Sequence, residues 1–407
     1  MTFRKVLFWS HLVAGLVAGL AIGIMCFTGV VLAFEKQLVN WSERDARRVH
    51  APATGQPRLS LDDLAGRVRE AHPDARLASI VVSADPRDAV AFSLGRDNTV
   101  FANPYTGEIR RPASTAVHDF MHVMEDWHRV LALSGDNRPI GKAINGACNL
   151  AFFALAVTGL YLWMPRTWSW RGVRAIALFN WRLTGKVRDF NWHNAIGLWS
   201  APILIVLTLT AVPISYRWGG NLIYTLVGET PPAPGPAGNT SPPIELPQPA
   251  PGTHPLAREA QFAAVQNAFP HWQQITLRLS TPGRGGPPSA AASATPAAAP
   301  APRTERPAGP QPLNFIIKLP DTWPRTATTT AVMNPFTGDL LRREGFADLS
   351  TGRQIRSWTR FLHTGEALGW VGQLIAGLAC LGGCFLVYTG FALSWRRFFG
   401  RKTSDAR

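Results

Sequence analysis

Four stretches of this chain stay apolar for longer than a buried core helix requires. The first, Trp9 to Phe34, runs 26 residues without Asp, Glu, Lys or Arg, preceded by Arg4 and Lys5 and closed by Glu35. At about 1.5 Å per residue it spans roughly 39 Å, enough to cross a hydrocarbon layer of about 30 Å with some tilt. Ala143 to Met164 and Asn191 to Tyr216 also lack charged residues, and Leu362 to Ser394 contains only Glu366. Each predicts a transmembrane helix, and the last is too long to stand upright from His363 to Trp395, so His363 is expected at or beyond the outer interface on a segment that Gly365, Gly369 and Gly372 can bend. In the first, His11 is followed by Gly15, Gly19 and Gly23 at steps of four. That spacing puts an imidazole and a glycine groove on one helical face, and such a groove admits a neighbouring helix or a flat macrocycle.

Between these runs the periodicity changes. Leu61 to His72 has the spacing of an amphipathic helix, and Ser79 to Leu94 alternates like strands broken at Asp85-Pro86. Val100 to Arg110 predicts a strand entering a turn, with Gly107 where positive φ is needed. The same grammar recurs later. His254 to Phe269 predicts a helix, Gln274 to Ser280 and Asn314 to Leu319 predict strands, and Ala331 to Leu341 reads AVMNPFTGDLL against the earlier VFANPYTGEIR.

The apolar runs repeat as well. HxxxG occurs at His11 to Gly15 and at His193 to Gly197, and Thr158-Gly159 with Trp163 and Arg166 matches Thr389-Gly390 with Trp395 and Arg396. The chain therefore reads as two direct copies of one unit, related by a pseudo-two-fold axis along the membrane normal. Pro231 to Pro255 and Thr281 to Pro312, rich in Pro, Ala and Gly, read as disordered insertions in the second copy. The expected division is helix 1 in 1–35, a first outer domain in 36–139, helix 2 in 140–165 and a basic loop in 166–189. Helix 3 follows in 190–216, a second outer domain in 217–360, helix 4 in 361–395 and a tail in 396–407.

The net charge of +15 follows topology and is no nucleic-acid signature. Arg166 to Asp189 carries six basic residues against one acidic and the tail after Trp395 five against one, whereas Glu35 to Lys142 balances at fifteen each. Short basic loops stay in the cytoplasm and long domains translocate largely regardless of charge. Both termini and the basic loop are thus expected inside, and both long polar segments outside. The first run is too long for a signal-peptide core and lacks a small-x-small exit, so it is expected to persist as an anchor. Cys26, Cys148, Cys380 and Cys384 all fall in apolar runs and read as small packing residues. The chain has no GxGxxG or P-loop sequence, so a nicotinamide or nucleotide would have to bind a partner.

Four of the ten histidines fall in register with the repeat. His11 and His193 each lie 24 residues before the next charged residue and form an inner pair. His128 and His363 lie 25 residues after Asn103 and 29 after Asn334, and form an outer pair. Two imidazoles approaching a flat site from symmetry-related helices suit bis-histidine ligation of haem iron and electron transfer. Zinc would want three or four ligands, including thiolate or carboxylate near His11 and His193, and none is there. The plain alternative is four interface histidines with no ligand role. Arg129 and Arg360 flank the outer pair as candidates for haem propionates, with an equal claim as ordinary exposed charges. His118 and His122, four apart beside Glu125 and Asp126, read as a solvated helix face in preference to a metal site. Trp127 and Trp370 are candidate substrate-lining residues, or interface anchors.

The four-helix layout, HxxxG, WHRVLAL leading into TGLYLWMPR, HTGEALGWVGQ and the paired NPYTGE/NPFTGD segments resemble the PepSY-associated transmembrane family over nearly the whole chain outside the insertions. The resemblance implies an integral membrane protein with four transmembrane helices in two direct repeats and two α+β PepSY-like domains in the periplasm of a bacterial inner membrane. It implies two b-type haems held by His11, His128, His193 and His363, with Gly15 and Gly197 beside them, and single-electron reduction of a ferric siderophore. The expected partners are lipid, a ferric chelate, and a cytoplasmic or quinol electron donor. The rivals are a haem relay to a periplasmic redox protein and a non-redox PepSY module that binds an envelope partner.

Overall fold

The computed structural model describes residues 2–50, 57–95, 98–165, 168–233, 244–279 and 310–399. Helix α1 (Phe3–Leu32) leads through α2 (Glu35–Ser42) and α3 (Arg44–Arg47) to α4 (Leu61–Ala71) and strands β1 (Ser79–Ser83), β2 (Val90–Ser93), β3 (Thr99–Ala102) and β4 (Ile109–Arg110). Helix α5 (Ala116–Val130) precedes α6 (Arg138–Trp163), α7 (Trp170–Ala177), α8 (Gly185–Ser215) and α9 (Arg217–Leu226). Then come α10 (Arg258–Ala268), β5 (Gln274–Arg278), β6 (Leu313–Lys318), β7 (Thr329–Met333), β8 (Leu340–Glu344), α11 (Thr351–His363) and α12 (Trp370–Phe398). Most of the expected Thr281 to Pro312 insertion and the middle of Pro231 to Pro255 lie outside the described residues.

Among the described residues, four stretches are helical, long and apolar enough to cross a membrane: α1, α6 with the turn before it, α8 and α12. They close into a ring in the order α1, α6, α8, α12, so α1 and α8 face each other across the bundle. The glycine groove of α1 is filled mainly by antiparallel α12. A Cβ at Gly19 would meet the Phe391 ring and one at Gly23 the Val387 side chain. The cysteines complete this seam: Cys26 Sγ lies against Gly383 and Cys380 Sγ against Gly29, which lets the two backbones approach closely.

Two boundaries differ from the sequence expectation. Helix α8 starts at Gly185, inside the expected basic loop, where Thr184 is extended and Gly185 has φ of 56°. The expected fourth helix is broken: α11 ends at His363 and α12 begins at Trp370, because Gly365 and Gly369 take φ of 72° and 66°. That left-handed backbone cannot continue a right-handed helix. Glu366, the carboxylate of this run, is buried in the break and paired with Lys36.

The strands of the two outer segments form one antiparallel sheet in the order β4-β3-β2-β1-β5-β6-β7-β8. The seam is β1 against β5, with Ile80 opposite Leu277 and Val82 opposite Ile275. Alternation puts Ile80, Val82, Phe92, Ile275, Leu277, Phe315 and Ile317 on one face, under α4 and α10. The two helices also cap each other. Asp62 accepts from the Arg258 and Glu259 N–H groups at 2.9 and 3.0 Å, and Glu259 accepts from the Leu61 N–H at 2.8 Å. These bonds satisfy donors that a helix start leaves open.

Candidate histidine centres

His11 stands on α1 and His193 on α8, helices on opposite sides of the ring. Each meets a Thr-Gly pair on the next helix. His11 Nδ1 lies 3.0 Å from Thr158 Oγ1, and His193 Nδ1 lies 2.8 Å from Thr389 Oγ1. Each hydroxyl already donates its proton down its own helix, Thr158 to the Ala154 carbonyl and Thr389 to the Phe385 carbonyl, both at 2.7 Å. A hydroxyl whose proton is spent can only accept, so Nδ1 carries the hydrogen and Nε2 keeps its lone pair. The glycine beside each threonine makes room for the ring: a Cβ on Gly159 would come 3.3 Å from His11 Cε1, and one on Gly390 3.7 Å from His193 Cε1.

The outer histidines come from the short helices that pack on the bundle, α5 against α1 and α11 against α8. His128 Nδ1 lies 2.9 Å from Thr28 Oγ1, whose proton goes to the Ile24 carbonyl at 2.7 Å. His363 Nδ1 donates directly to the Leu207 carbonyl at 2.9 Å. The logic is the same, so all four imidazoles hold Nε2 as the free lone pair. The His128 and His363 ring centres are 6.2 Å apart with planes at 51°. First-row metal bonds to imidazole nitrogen are about 2.0–2.1 Å, which puts the centres of two rings facing across one ion roughly 6 Å apart. The spacing of the outer rings thus suits two imidazoles on one metal ion, and the tautomers of all four leave a nitrogen for one.

Both outer helices are stopped by a close backbone contact two residues past the histidine. A Cβ on Gly141 of α6 would overlap the Val130 carbonyl oxygen, and one on Gly372 of α12 would overlap the Gly365 carbonyl oxygen. Leu131 and Ala132, with φ of 53° and 56°, turn the chain sharply enough to bring α6 back against α5.

The remaining predicted residues are less closely drawn in. Gly15 and Gly197 lie one turn from His11 and His193, and a Cβ at either would make ordinary contact with Leu155 or Leu386. Arg129 pairs with Glu125 on its own helix, and Arg360 is exposed. Trp127 and Trp370 are exposed, at 38% and 64%. His118 and His122 pack edge to face with ring centres 4.4 Å apart, near Asp119 and Glu125. No group of three or more His, Cys, Asp or Glu side chains among the described residues is arranged to hold a metal ion, so any ligation here rests on histidine pairs.

A scan of family models matches the PepSY-associated TM region over residues 8–397. The chain belongs to this family. No curated protein matches it closely enough to count as a relative. As a PepSY-associated protein with four apolar helices it is a membrane protein in contact with lipid. Sequence reasoning passed over three of its features. Thr28 shows as a hydroxyl inside an apolar run, Gly141 as a glycine at a helix start, and Asp189 as the one acid of a basic loop, one turn before His193. Asp189 is buried and paired with Arg188 at 2.9 Å and Arg396 at 3.1 Å.

Proposed function

We propose that this protein is a di-haem reductase of the bacterial inner membrane, with both termini cytoplasmic, that passes electrons outward to a ferric-siderophore complex and releases iron as Fe(II). The observation that carries the reading is that His128 and His363 lie ring to ring and that all four histidines have Nδ1 engaged. The pairs stand at two depths. Thr28, which holds His128, is 17 residues along α1 from His11, roughly 26 Å.

His11 and His193 would hold one b-type haem, and His128 and His363 the other. Each haem when bound would supply a one-electron Fe(III)/Fe(II) couple. The chain's own part is to fix the four tautomers, exclude water with the bundle's apolar walls and keep the pairs in line along α1 and α8. We also read the chain as two direct repeats carrying two PepSY-like halves, a reading supported by the strand order mirrored about β1 and β5 and by the matched Thr-Gly contacts. The donor is a quinol or a cytoplasmic protein.

Pyridine haemochrome quantitation of the purified full chain tests the reading, with two haems per chain expected. His11→Ala and His193→Ala should each remove one haem, and His128→Ala and His363→Ala the other. A stoichiometry of one in fully loaded protein, or a crossed loss pattern, overturns it.

A further inference from the structure

A cleft of about 560 Å³ opens in the second outer segment, between the loop after β6 and the turn that leads from β8 into α11. Its walls include Trp323 and Phe346, with Thr322, Thr328, Arg343 and Asp348 around them. Trp323 is 59% exposed. Arg343 is exposed and its guanidinium lies 5.1 Å from the centre of the Phe269 ring, which holds the cation beside the opening. The volume lies in the range of small-molecule sites, and the lining has their usual form, mostly apolar faces with a few polar groups.

A second, independent feature ties this cleft to the histidine pair below it. Trp323 packs against Trp358 with ring centres 5.8 Å apart, Trp358 against Phe346 at 6.4 Å, and Phe346 against Phe361 at 6.4 Å. Trp358 and Phe361 are on α11, five and two residues before His363. Two of the four rings line the cleft and the other two stand on the helix that carries a ligand of the outer pair.

We propose that this cleft is the docking site for the electron acceptor, a low-molecular-weight ferric chelate with oxygen donors and apolar spacers. The proposal rests on the reductase reading above. Aromatic faces suit the spacers, the threonine hydroxyls can donate to iron-bound oxygens, and Arg343 offsets their negative charge. Reduction there adds one electron to the bound Fe(III), giving Fe(II), and takes one from the ferrous iron that His128 and His363 would hold. No covalent bond to the protein forms or breaks and no proton need move. The ring contacts keep the route compact, with Trp358 as a positioning residue between cleft and ligand helix.

The test uses the full chain in nanodiscs and a gallium(III) trihydroxamate, a redox-inert probe, with binding followed by calorimetry. Wild type should bind the probe. Trp323→Ala and Arg343→Gln, both at exposed side chains, should weaken binding at least about tenfold, as expected for an anchor residue, while Trp41→Ala, at an exposed tryptophan of α2, should leave it unchanged. Because gallium accepts no electron, this result is independent of haem content: a chain without haem that still binds the probe through Trp323 keeps the cleft and loses the reductase reading. Failure of wild type to bind, equal binding by the Trp323 and Arg343 variants, or loss of binding in the Trp41 variant would each overturn the cleft assignment.

Discussion

His128 Nδ1 stands 2.9 Å from Thr28 Oγ1, and the threonine proton is already donated to the Ile24 carbonyl. The first transmembrane helix thereby sets the tautomer of a histidine 100 residues later. The same device operates at Thr158 and Thr389.

Thr28→Val keeps the volume and removes the acceptor. Outer contacts that orient a metal-bound histidine are worth about 10–100-fold in affinity, and haem titration of the apo-protein should show a weakening of that size at one of two sites. Thr28→Ser should restore binding. Unchanged titration of the valine variant would mean that Thr28 only packs.

Gly141→Ala and Gly372→Ala should each cost about 1–3 kcal/mol, because the new methyl must displace a carbonyl oxygen of the neighbouring backbone. Thermal unfolding measures the cost. The damage should also be local, with the His128 and His363 site losing haem and the His11 and His193 site keeping it. Gly66→Ala is the comparison. Gly66 is inside α4 with open space around its Cα, so alanine there should be neutral or stabilise by up to about 1 kcal/mol.

The start of α11 should respond to acid. Glu229 accepts from the Ser350 hydroxyl at 2.7 Å and from the Gly352 N–H at 3.1 Å, and these bonds hold its carboxyl below the ordinary glutamate range. A carboxylate whose folded pKa is depressed contributes above its unfolded value and loses that contribution as pH falls through the folded one. Amide exchange protection in the first turn of α11 should therefore be flat above about pH 5 and decline below it. Glu229→Gln should exchange faster at neutral pH and lose most of the acid dependence. Wild-type protection that ignores pH would dismiss Glu229 as the anchor.

Much of this molecule was legible in one dimension because its strongest signals are local. An apolar run longer than a bilayer is thick has few other readings, and the alternation in Ser79 to Ser83 or Gln274 to Arg278 marks a strand whatever its neighbours are. The turns after Asn103 and Asn334 were equally plain. Gly107 and Gly338 take φ of 75° and 77°, a backbone that glycine adopts without a Cβ penalty. The four histidines stood out because an ionisable group inside or beside an apolar helix is costly unless it has a task.

What the chain could not reveal locally is which surfaces meet. Pairing of β1 with β5 joins two outer segments into one sheet, and that choice depends on burying both apolar faces under α4 and α10, 196 residues apart at the Asp62 cap. The run from His363 was too long to stand upright and Gly365, Gly369 and Gly372 marked where it could bend, but which of them takes a left-handed φ is set only in the packed structure, since hydropathy carries no information about φ. Thr158 and Thr389 stood out only as marks of the repeat and Thr28 not at all, until the ring order of α1, α6, α8 and α12, with α5 packed on α1, brought each against an imidazole. Helix length and strand period are set by each segment's own backbone and solvent, whereas a hydrogen bond between residues 11 and 158, or a glycine fitted to a carbonyl, exists only once the packed helices bring those atoms within about 3 Å.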